Sequence, residues 1–244
     1  MTQPGLARRL AAEALGAGLL VAAVVGSGIM ATNLTDDVGL ALLINAVSTV
    51  AALGVLIWTL GPTSGAHFNP AVTLVAAVRR EVAPAEAGGY LAAQLVGAFL
   101  GVALANVMFS LPAWEASTTE RTGLGVLLGE VVATAGLVWV IGAVTRTGRG
   151  HLGPVLVPVW IGAAYFFTSS TSFANPAVTF GRVFTDTFTG IDPASALPFV
   201  LAQLVGAAVG LGLTEVFHPR HGVVPEPLDL PDPVHEPQQS GDRR

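Results

Sequence analysis

The sequence predicts an all-α membrane protein with six transmembrane helices and two re-entrant half-helices in an inverted repeat. The first observation is composition: only 11% of the 244 residues are charged and 52% are hydrophobic, whereas soluble domains are about 25% charged. The second is the length of the uncharged stretches, at 38–78, 87–114 and 152–181, since about 18 such residues can span a bilayer. The third is an internal repeat with Asn-Pro-Ala-Val-Thr in each half.

Six apolar segments are long enough to cross about 30 Å of hydrocarbon. They are predicted at residues 9–30, 38–60, 87–110, 123–145, 154–170 and 195–217. Two further apolar segments, 69–78 and 175–184, are too short to span. Both begin with Asn-Pro, in which Asn is a favoured helix N-cap and Pro suits the first helical position. These segments are therefore predicted to be half-helices that begin inside the membrane.

The repeat extends through both halves of the chain. Each half has a Glu early in its first helix (Glu13, Glu130) and, later, the word Gln-Leu-Val-Gly-Ala, which begins at Gln94 and at Gln203. Because each half contains three full spans, the second half enters the membrane inverted. The predicted divisions are a cytoplasmic N-terminus at 1–8, a first repeat at 9–110, an extracellular linker at 111–122, a second repeat at 123–217 and a disordered, proline-rich cytoplasmic tail at 218–244.

The arginines predict the orientation, because cytoplasmic loops of membrane proteins carry an excess of basic residues. Two of the 11 arginines, Arg121 and Arg182, fall on one side of a six-span arrangement. The other nine fall on the opposite side: Arg8, Arg9, Arg79, Arg80, Arg146, Arg149, Arg220, Arg243 and Arg244. We therefore expect a multi-pass protein of the inner (plasma) membrane with both termini in the cytoplasm.

The two half-helices predict a pore. In an inverted repeat they enter from opposite sides, so that their N-termini, each with about half a positive charge, meet near the midplane. Asn69 and Asn175 are predicted to offer amide donors there, and irregular loops to offer carbonyl acceptors. The predicted lining loops are Gly65, Ala66 and His67, and Ser170, Thr171 and Ser172. Such a tube passes neutral hydrogen-bonding molecules and opposes cations and protons.

A single Asn-Pro is a common turn signal, but two matched copies in a repeat favour the pore. The word Ser-Gly-Ala-His-Phe-Asn-Pro-Ala-Val-Thr at 64–73 resembles the major intrinsic proteins, the aquaporins and aquaglyceroporins. The resemblance covers about 9–217. It implies a homotetramer in the lipid bilayer, with one pore per subunit. It also implies that the pore binds a small neutral solute. It also implies that the pore motifs are Asn69, Pro70, Ala71, Asn175, Pro176 and Ala177.

Other polar residues, three in the membrane and His151 in a cytoplasmic loop, each have two interpretations. Glu13 and Glu130 are predicted to support the re-entrant loops, as similar family positions do, rather than to relay protons. His67 is predicted to line the pore rather than bind a metal. His151 is read as solvated, with a gating or pH role as the alternative. We expect no cofactor, no metal and no nucleic-acid partner.

The resemblance also implies an outer selectivity filter of four positions. Counted without gaps from Asn69 and Asn175, they are Thr49, Ala163, Ser172 and Val178. Water-selective members have an aromatic residue, His and Arg at the first, second and last positions, whereas all four residues here are small. This predicts a wide, mostly apolar mouth for polyols or metalloid hydroxides. The stretch 163–173 with Val178 is similar to bacterial arsenic-associated aquaglyceroporins and favours arsenous acid.

Arg182 is placed in the outer vestibule, one helical turn beyond Val178. It either leans back toward the site that Val178 leaves empty, or caps the outer end of the half-helix, or extends to the interface. The predicted function is a passive channel for small neutral solutes. Three alternatives remain: a water-selective aquaporin, an ion-coupled secondary transporter and a purely structural membrane protein. An enzyme is excluded because the chain has neither a nucleophile signature nor a phosphate loop.

Overall fold

The computed structural model of the protein describes residues 4–220, and these form eight α-helices. Their bounds are α1 Leu6–Leu34, α2 Val38–Ser64, α3 Pro70–Val78, α4 Pro84–Met108, α5 Leu124–Arg146, α6 Gly153–Phe167, α7 Pro176–Arg182 and α8 Pro193–Phe217. A 3₁₀ turn, Gly150–Leu152, precedes α6. Six of these helical stretches are long and apolar enough to cross a membrane, and α3 and α7 are the two short ones. The predicted fold class is confirmed.

Several helix ends differ from the predicted ones. α1 begins at Leu6 rather than 9, and α2 continues to Ser64, where Gly65 with a φ of 88° ends it. α6 ends at Phe167 and α7 at Arg182, both earlier than predicted. The reason in α7 is that the chain turns back at Val183, whose N–H bonds to Phe180 within the last turn.

Long-range contacts define two faces at the ends of the helices. Arg9 pairs with Glu86, and Arg146 and Arg220 donate to the carbonyl oxygens of His218 and Arg79 respectively. We call this end, with residues 4–9, 79–86, 146–153 and 218–220, the terminal face. At the opposite end, the linker face, residues 109–123 lie beside residues 183–192, as the bond from the Thr118 N–H to Asp186 illustrates.

The predicted start of the disordered tail at 218 is too early. His218 and Arg220 are both bonded to the terminal face. The Arg146 guanidinium donates to the His218 carbonyl oxygen, and the Arg220 guanidinium donates to the Arg79 carbonyl oxygen. The rest of the predicted tail, 221–244, lies outside the described residues, as do residues 1–3.

Glycines bring the helices of each repeat close together. On α4, Gly97 and Gly101 lie against the carbonyl oxygens of Ala14 and Gly18 on α1, and a methyl group at either glycine would overlap them. Gly206 and Gly210 on α8 meet α5 in the same way. Small residues allow this close approach of helices in membranes. The sequence repeat is therefore also a repeat in packing.

Each half-helix packs on helices of both repeats. α3 contacts α4 of its own repeat but also α5 and α8, whereas α7 contacts α8 and also α1 and α4. Their N-termini consequently meet in the middle of the helical bundle.

Candidate pore

Two asparagines join the half-helices where they meet. The Asn69 amide Nδ2 donates to the Ala174 carbonyl oxygen at 2.8 Å, and Asn175 Nδ2 donates to the Phe68 carbonyl oxygen at 2.8 Å. Their Oδ1 atoms cap α3 and α7 by accepting from the N–H groups of Ala71 and Ala177. Because an amide nitrogen carries two hydrogens, each asparagine keeps one N–H free of this exchange. Both asparagines border a cavity.

The loops before the asparagines have unusual backbone conformations at matching places. Left-handed φ angles occur four, three and one residues before each asparagine: at Gly65, Ala66 and Phe68, and at Thr171, Ser172 and Ala174. For residues other than glycine, each such conformation costs about 1–3 kcal/mol and persists only where surrounding contacts enforce it.

Two buried carboxylates enforce these conformations. Glu13 accepts from the N–H groups of His67 (3.0 Å) and Phe68 (2.7 Å). Glu130 accepts from those of Phe173 and Ala174, both at 2.9 Å. Neither carboxylate has any solvent-exposed surface. A glutamine from the last helix of the repeat supports each of them: Gln94 donates to Glu13 at 2.8 Å and Gln203 to Glu130 at 2.6 Å.

The same bonds orient the loop carbonyls. In a trans peptide the C=O points away from the N–H. The N–H groups of these peptides bond to Glu13 and Glu130. The carbonyl groups of the same peptides therefore point away from the glutamates: those of Ala66 and His67 in the first loop, and those of Ser172 and Phe173 in the second. The four residues border the cavity on that side.

This register corrects the predicted lining of the second loop. Ser170 and Thr171 do not border the cavity, whereas Ser172, Phe173 and Ala174 do. The Ser170 hydroxyl instead accepts from the Ser172 N–H (3.2 Å), as Ser64 does from Ala66 (3.1 Å) in the first loop. Counted from the asparagines, the equivalents of Gly65, Ala66 and His67 are Thr171, Ser172 and Phe173, so the prediction began one residue early; of these three, Ser172 and Phe173 border the cavity. Gly65, Ala66 and His67 border the cavity.

The cavity has a volume of about 340 Å³ and extends from one face toward the other. Arg79 and Glu81 border it at the terminal face, and Arg182 borders it toward the linker face. Between them it passes both asparagines. Apolar side chains form the remaining wall, among them Leu20, Val24, Leu53, Ile57, Leu137 and Ile141. The path thus has hydrogen-bonding groups on one side and hydrocarbon on the other.

A hydrogen-bond network fixes the ring of His67. Thr73 Oγ1 accepts from Gln94 Nε2 (2.9 Å) and donates its single hydrogen to the Asn69 carbonyl oxygen (3.1 Å). His67 Nδ1 lies 3.0 Å from Thr73 Oγ1. Because the Thr73 hydroxyl has no second hydrogen to donate, Nδ1 must be the donor of this bond. This assignment leaves Nε2 as an acceptor on a ring that borders the cavity. The second loop has Phe173 in place of His67, so the two ends of the cavity differ chemically.

The predicted filter residue Ala163 is wrong. Ala163 is exposed on the outside of α6, whereas Tyr165 is buried, borders the cavity and donates to Thr49 Oγ1 at 3.3 Å. Val157, Ile161 and Tyr165 lie four residues apart on one helix face, from which Ala163 is rotated by about 160–200°. That spacing was the signal that ungapped counting missed. Thr49, Ser172 and Val178 do border the cavity.

Arg182 also borders the cavity, and its side chain is not extended to the interface. The residue is 4% exposed, its Cζ lies 3.3 Å from the centroid of the Phe173 ring, and its Nε donates to the Thr189 carbonyl oxygen. The alternative in which it extends to the interface is therefore wrong. The expectation of a wide, mostly apolar mouth is also wrong, because the Tyr165 ring and the Arg182 guanidinium both border the cavity there.

Arg121 holds the segment that carries Thr189. Its Nε donates to Gly190 O (2.8 Å) and its Nη2 to Phe188 O (3.2 Å). Burial lowers the pKa of Arg121, and the Glu130 carboxylate opposes this effect.

His151 lies far from this region. It is exposed and lies beside Trp58 and Pro154 in a separate groove on the terminal face.

A bundle of six spans, with two half-helices that meet beside a partly polar, partly apolar cavity, defines a membrane channel. The profile of the family described as Major intrinsic protein matches residues 1–173. Aquaglyceroporin AqpS of Rhizobium meliloti (strain 1021) is 53% identical over 213 residues, which cover 87% of this chain and 91% of that protein. The chain therefore belongs to the major intrinsic protein family, and it is a channel rather than an enzyme.

More distant relatives agree with this assignment. Probable aquaporin TIP3-2 of Oryza sativa subsp. japonica is 29% identical over 238 residues, which cover 95% of this chain and 89% of that protein. The solved structure of the aquaglyceroporin from Plasmodium falciparum superposes with a TM-score of 0.65 over 88% of this chain and 96% of that one. At 21% identity this second likeness concerns the fold alone.

Proposed function

We propose that the chain is a passive channel for water and for small neutral solutes of the glycerol type, including metalloid hydroxides such as arsenous acid. The observation that carries the proposal is the two-sided cavity that passes Asn69 and Asn175. A polyol has hydroxyl groups along one side of a carbon chain. Loop carbonyls and asparagine amides match the hydroxyls, and the Leu20 and Val24 wall matches the carbons.

Similarity to the aquaglyceroporin of Rhizobium meliloti supports a solute larger than water. Val178 supports it too, because a small side chain stands where water-selective members carry arginine. Arsenous acid is a neutral trihydroxide of glycerol-like size, so the same contacts serve it. The corrected mouth, with Tyr165 and Arg182, favours solutes of this size over larger polyols.

A solute series tests the proposal. Purified protein in liposomes is exposed in a stopped-flow instrument to gradients of glycerol, arsenous acid and a six-carbon sugar alcohol, with water flux measured in parallel. We expect water, glycerol and arsenous acid to permeate and the six-carbon compound to be excluded. Water permeation alone would identify a water-selective channel instead and would overturn the proposed solute class.

The positions of the buried carboxylates support a channel over an ion-coupled transporter. A transporter usually needs an ionisable group in the membrane to bind its coupling ion. Both oxygens of Glu13 and of Glu130 accept from loop N–H groups or glutamine amides. We propose that these two residues support the loops, and that Asn69 and Asn175 supply the central donors for the solute.

We further propose a homotetramer in the inner (plasma) membrane with both termini in the cytoplasm. Arginines at the terminal face support this orientation: Arg8, Arg9, Arg79, Arg80, Arg146, Arg149 and Arg220. A reporter fused after residue 244 is expected to be active only as a cytoplasmic fusion, and chemical crosslinking in membranes is expected to give a four-chain product. Periplasmic activity of the reporter would refute the orientation, and a product limited to two chains would refute the tetramer.

A further inference from the structure

Two arginines approach one phenyl ring at the linker-face end of the cavity. The Arg182 Cζ lies 3.3 Å and the Arg121 Cζ 5.2 Å from the centroid of Phe173. Within residues 4–220, neither arginine forms an ion pair; the pairs found involve Arg9, Arg79 and Arg146. Positive charge at this end of the cavity is therefore not neutralised by a neighbouring carboxylate.

Two contacts hold Arg182 in place, and neighbouring residues support both of them. Its Nε donates to the Thr189 carbonyl oxygen, and its guanidinium stacks on the Phe173 face. Phe173 is itself supported by Phe199, whose ring centroid is 5.0 Å away. Arg121 fixes the residues on both sides of Thr189 through its bonds to Phe188 and Gly190. The guanidinium is therefore a positioned group rather than a mobile surface charge.

The terminal nitrogens of Arg182 have no protein partner among the described residues. Only Nε takes part in a hydrogen bond, although the residue is 4% exposed and borders the cavity. Ser172 adds a buried hydroxyl without a hydrogen-bond partner in the same lining. Free donors thus converge on this part of the path.

We propose that Arg182 is a specificity-determining residue that supplies the charge and the donors that Val178 cannot. The two residues are four apart on α7 and so lie on one face. Helical side chains lean toward the N-terminus of their helix, which brings the guanidinium back over the small Val178 side chain. The inference rests on the proposed function, because it names the group that selects the solute.

The position of the charge determines which solutes it favours. A cation about 10 Å from the guanidinium is disfavoured by about tenfold at an effective dielectric constant near 20. A neutral solute with several hydroxyl oxygens accepts from the free N–H groups instead. Arg182 therefore selects uncharged, oxygen-rich molecules. Because the arginine is one helical turn beyond Val178, the path beside Val178 is wider than it would be with an arginine at position 178.

The test compares Arg182→Ala, Arg182→Lys and the double variant Val178→Arg/Arg182→Ala in liposomes. Potassium leak, water flux and glycerol flux are measured for each. Arg149→Ala is the matched control, because it removes an exposed arginine that does not border the cavity. Monodisperse elution in detergent confirms that each variant is folded. If Arg182→Ala does not fold, Phe173→Leu replaces it, because it removes the stacking surface of the guanidinium.

We expect Arg182→Ala to raise potassium leak about tenfold and to raise the glycerol-to-water flux ratio. Arg182→Lys keeps the charge and is expected to keep the low leak. The double variant is expected to regain low leak with a glycerol-to-water ratio below that of the wild type. Leak and flux ratio equal to those of Arg149→Ala would overturn the inference. Absence of glycerol flux in the wild type would instead refute the proposed function, and the leak measurement would still decide the role of Arg182.

Discussion

Substitution of Glu13 by glutamine tests how the re-entrant loop is held. In the wild type, Oε1 accepts from Ser64 Oγ and the His67 N–H, and Oε2 from the Phe68 N–H and Gln94 Nε2. A glutamine replaces one oxygen with an NH₂ group, which donates. The Ser64 hydroxyl can rotate, and Gln94 can flip if the Thr73 hydroxyl turns its hydrogen toward it, so these side chains can adapt. A backbone N–H cannot, and in either orientation of the new amide one loop N–H loses its acceptor.

The magnitude follows from that single lost acceptor. A buried unsatisfied N–H costs about 1–3 kcal/mol, which shifts the equilibrium between intact and displaced loops by about 5- to 150-fold. The left-handed conformations of Ala66 and Phe68 favour displacement, because they are strained and the bonds to Glu13 help to hold the loop in them. For a chain of this size, the Tm in detergent is expected to fall by about 2–12 °C. Because Glu130 holds the second loop in the same way, Glu130→Gln is expected to have a similar effect.

The assay combines thermal unfolding in detergent with glycerol flux in liposomes. Glu120→Gln, at an exposed site on the linker segment, is the control for loss of one carboxylate. We expect both Tm and flux to fall in Glu13→Gln and neither to change in Glu120→Gln. A Glu13→Gln protein with the Tm and the flux of the wild type would refute this reasoning. A normal Tm with altered proton permeability would instead favour the proton relay.

Three other predictions concern the midplane, the outer mouth and the helix contacts. Asn175→Asp keeps the cap on α7 but places a carboxylate where two helix N-termini converge, so a folded channel with several-fold lower glycerol flux and a new cation leak is expected in the liposome assay. Tyr165→Ala is expected to raise the glycerol-to-water flux ratio, whereas Ala163→Leu is expected to leave it unchanged; an effect of Ala163→Leu alone would restore the original filter assignment. Gly97→Ala places a methyl group against α1 and is expected to lower the Tm by more than about 4 °C, whereas Gly88→Ala meets open space and serves as its control; equal values would contradict the close packing.

Most of the fold was predictable because its signals are local. Apolar length gives the spans, and Asn-Pro at the start of a short apolar segment gives each half-helix. The repeat of Glu, Asn-Pro-Ala and Gln then gives the inverted architecture. Glu13 and Glu130 were expected to support the loops, and each is bonded to its loop in the structure.

The errors arose where tertiary placement decides the outcome. Ala163 was chosen by counting along the chain, but the rotation of α6 about its axis turns Tyr165 to the cavity instead. Ser170 was placed one register early, because its hydroxyl closes a turn rather than lining a path. The position of Arg182 depends on a ring and on a carbonyl group from two other segments, Phe173 and Thr189, which no local pattern reports.

The dependence of glycerol flux on glycerol concentration tests the central claim of passive conduction most directly. Liposomes that contain the protein, with identical ion composition on both sides, are exposed to rising glycerol gradients. Passive passage through the cavity predicts a flux that rises in proportion to the gradient, well above that of empty liposomes, and does not change when a sodium or proton gradient is imposed. A flux that saturates and increases with an imposed ion gradient would contradict the account and identify a transporter.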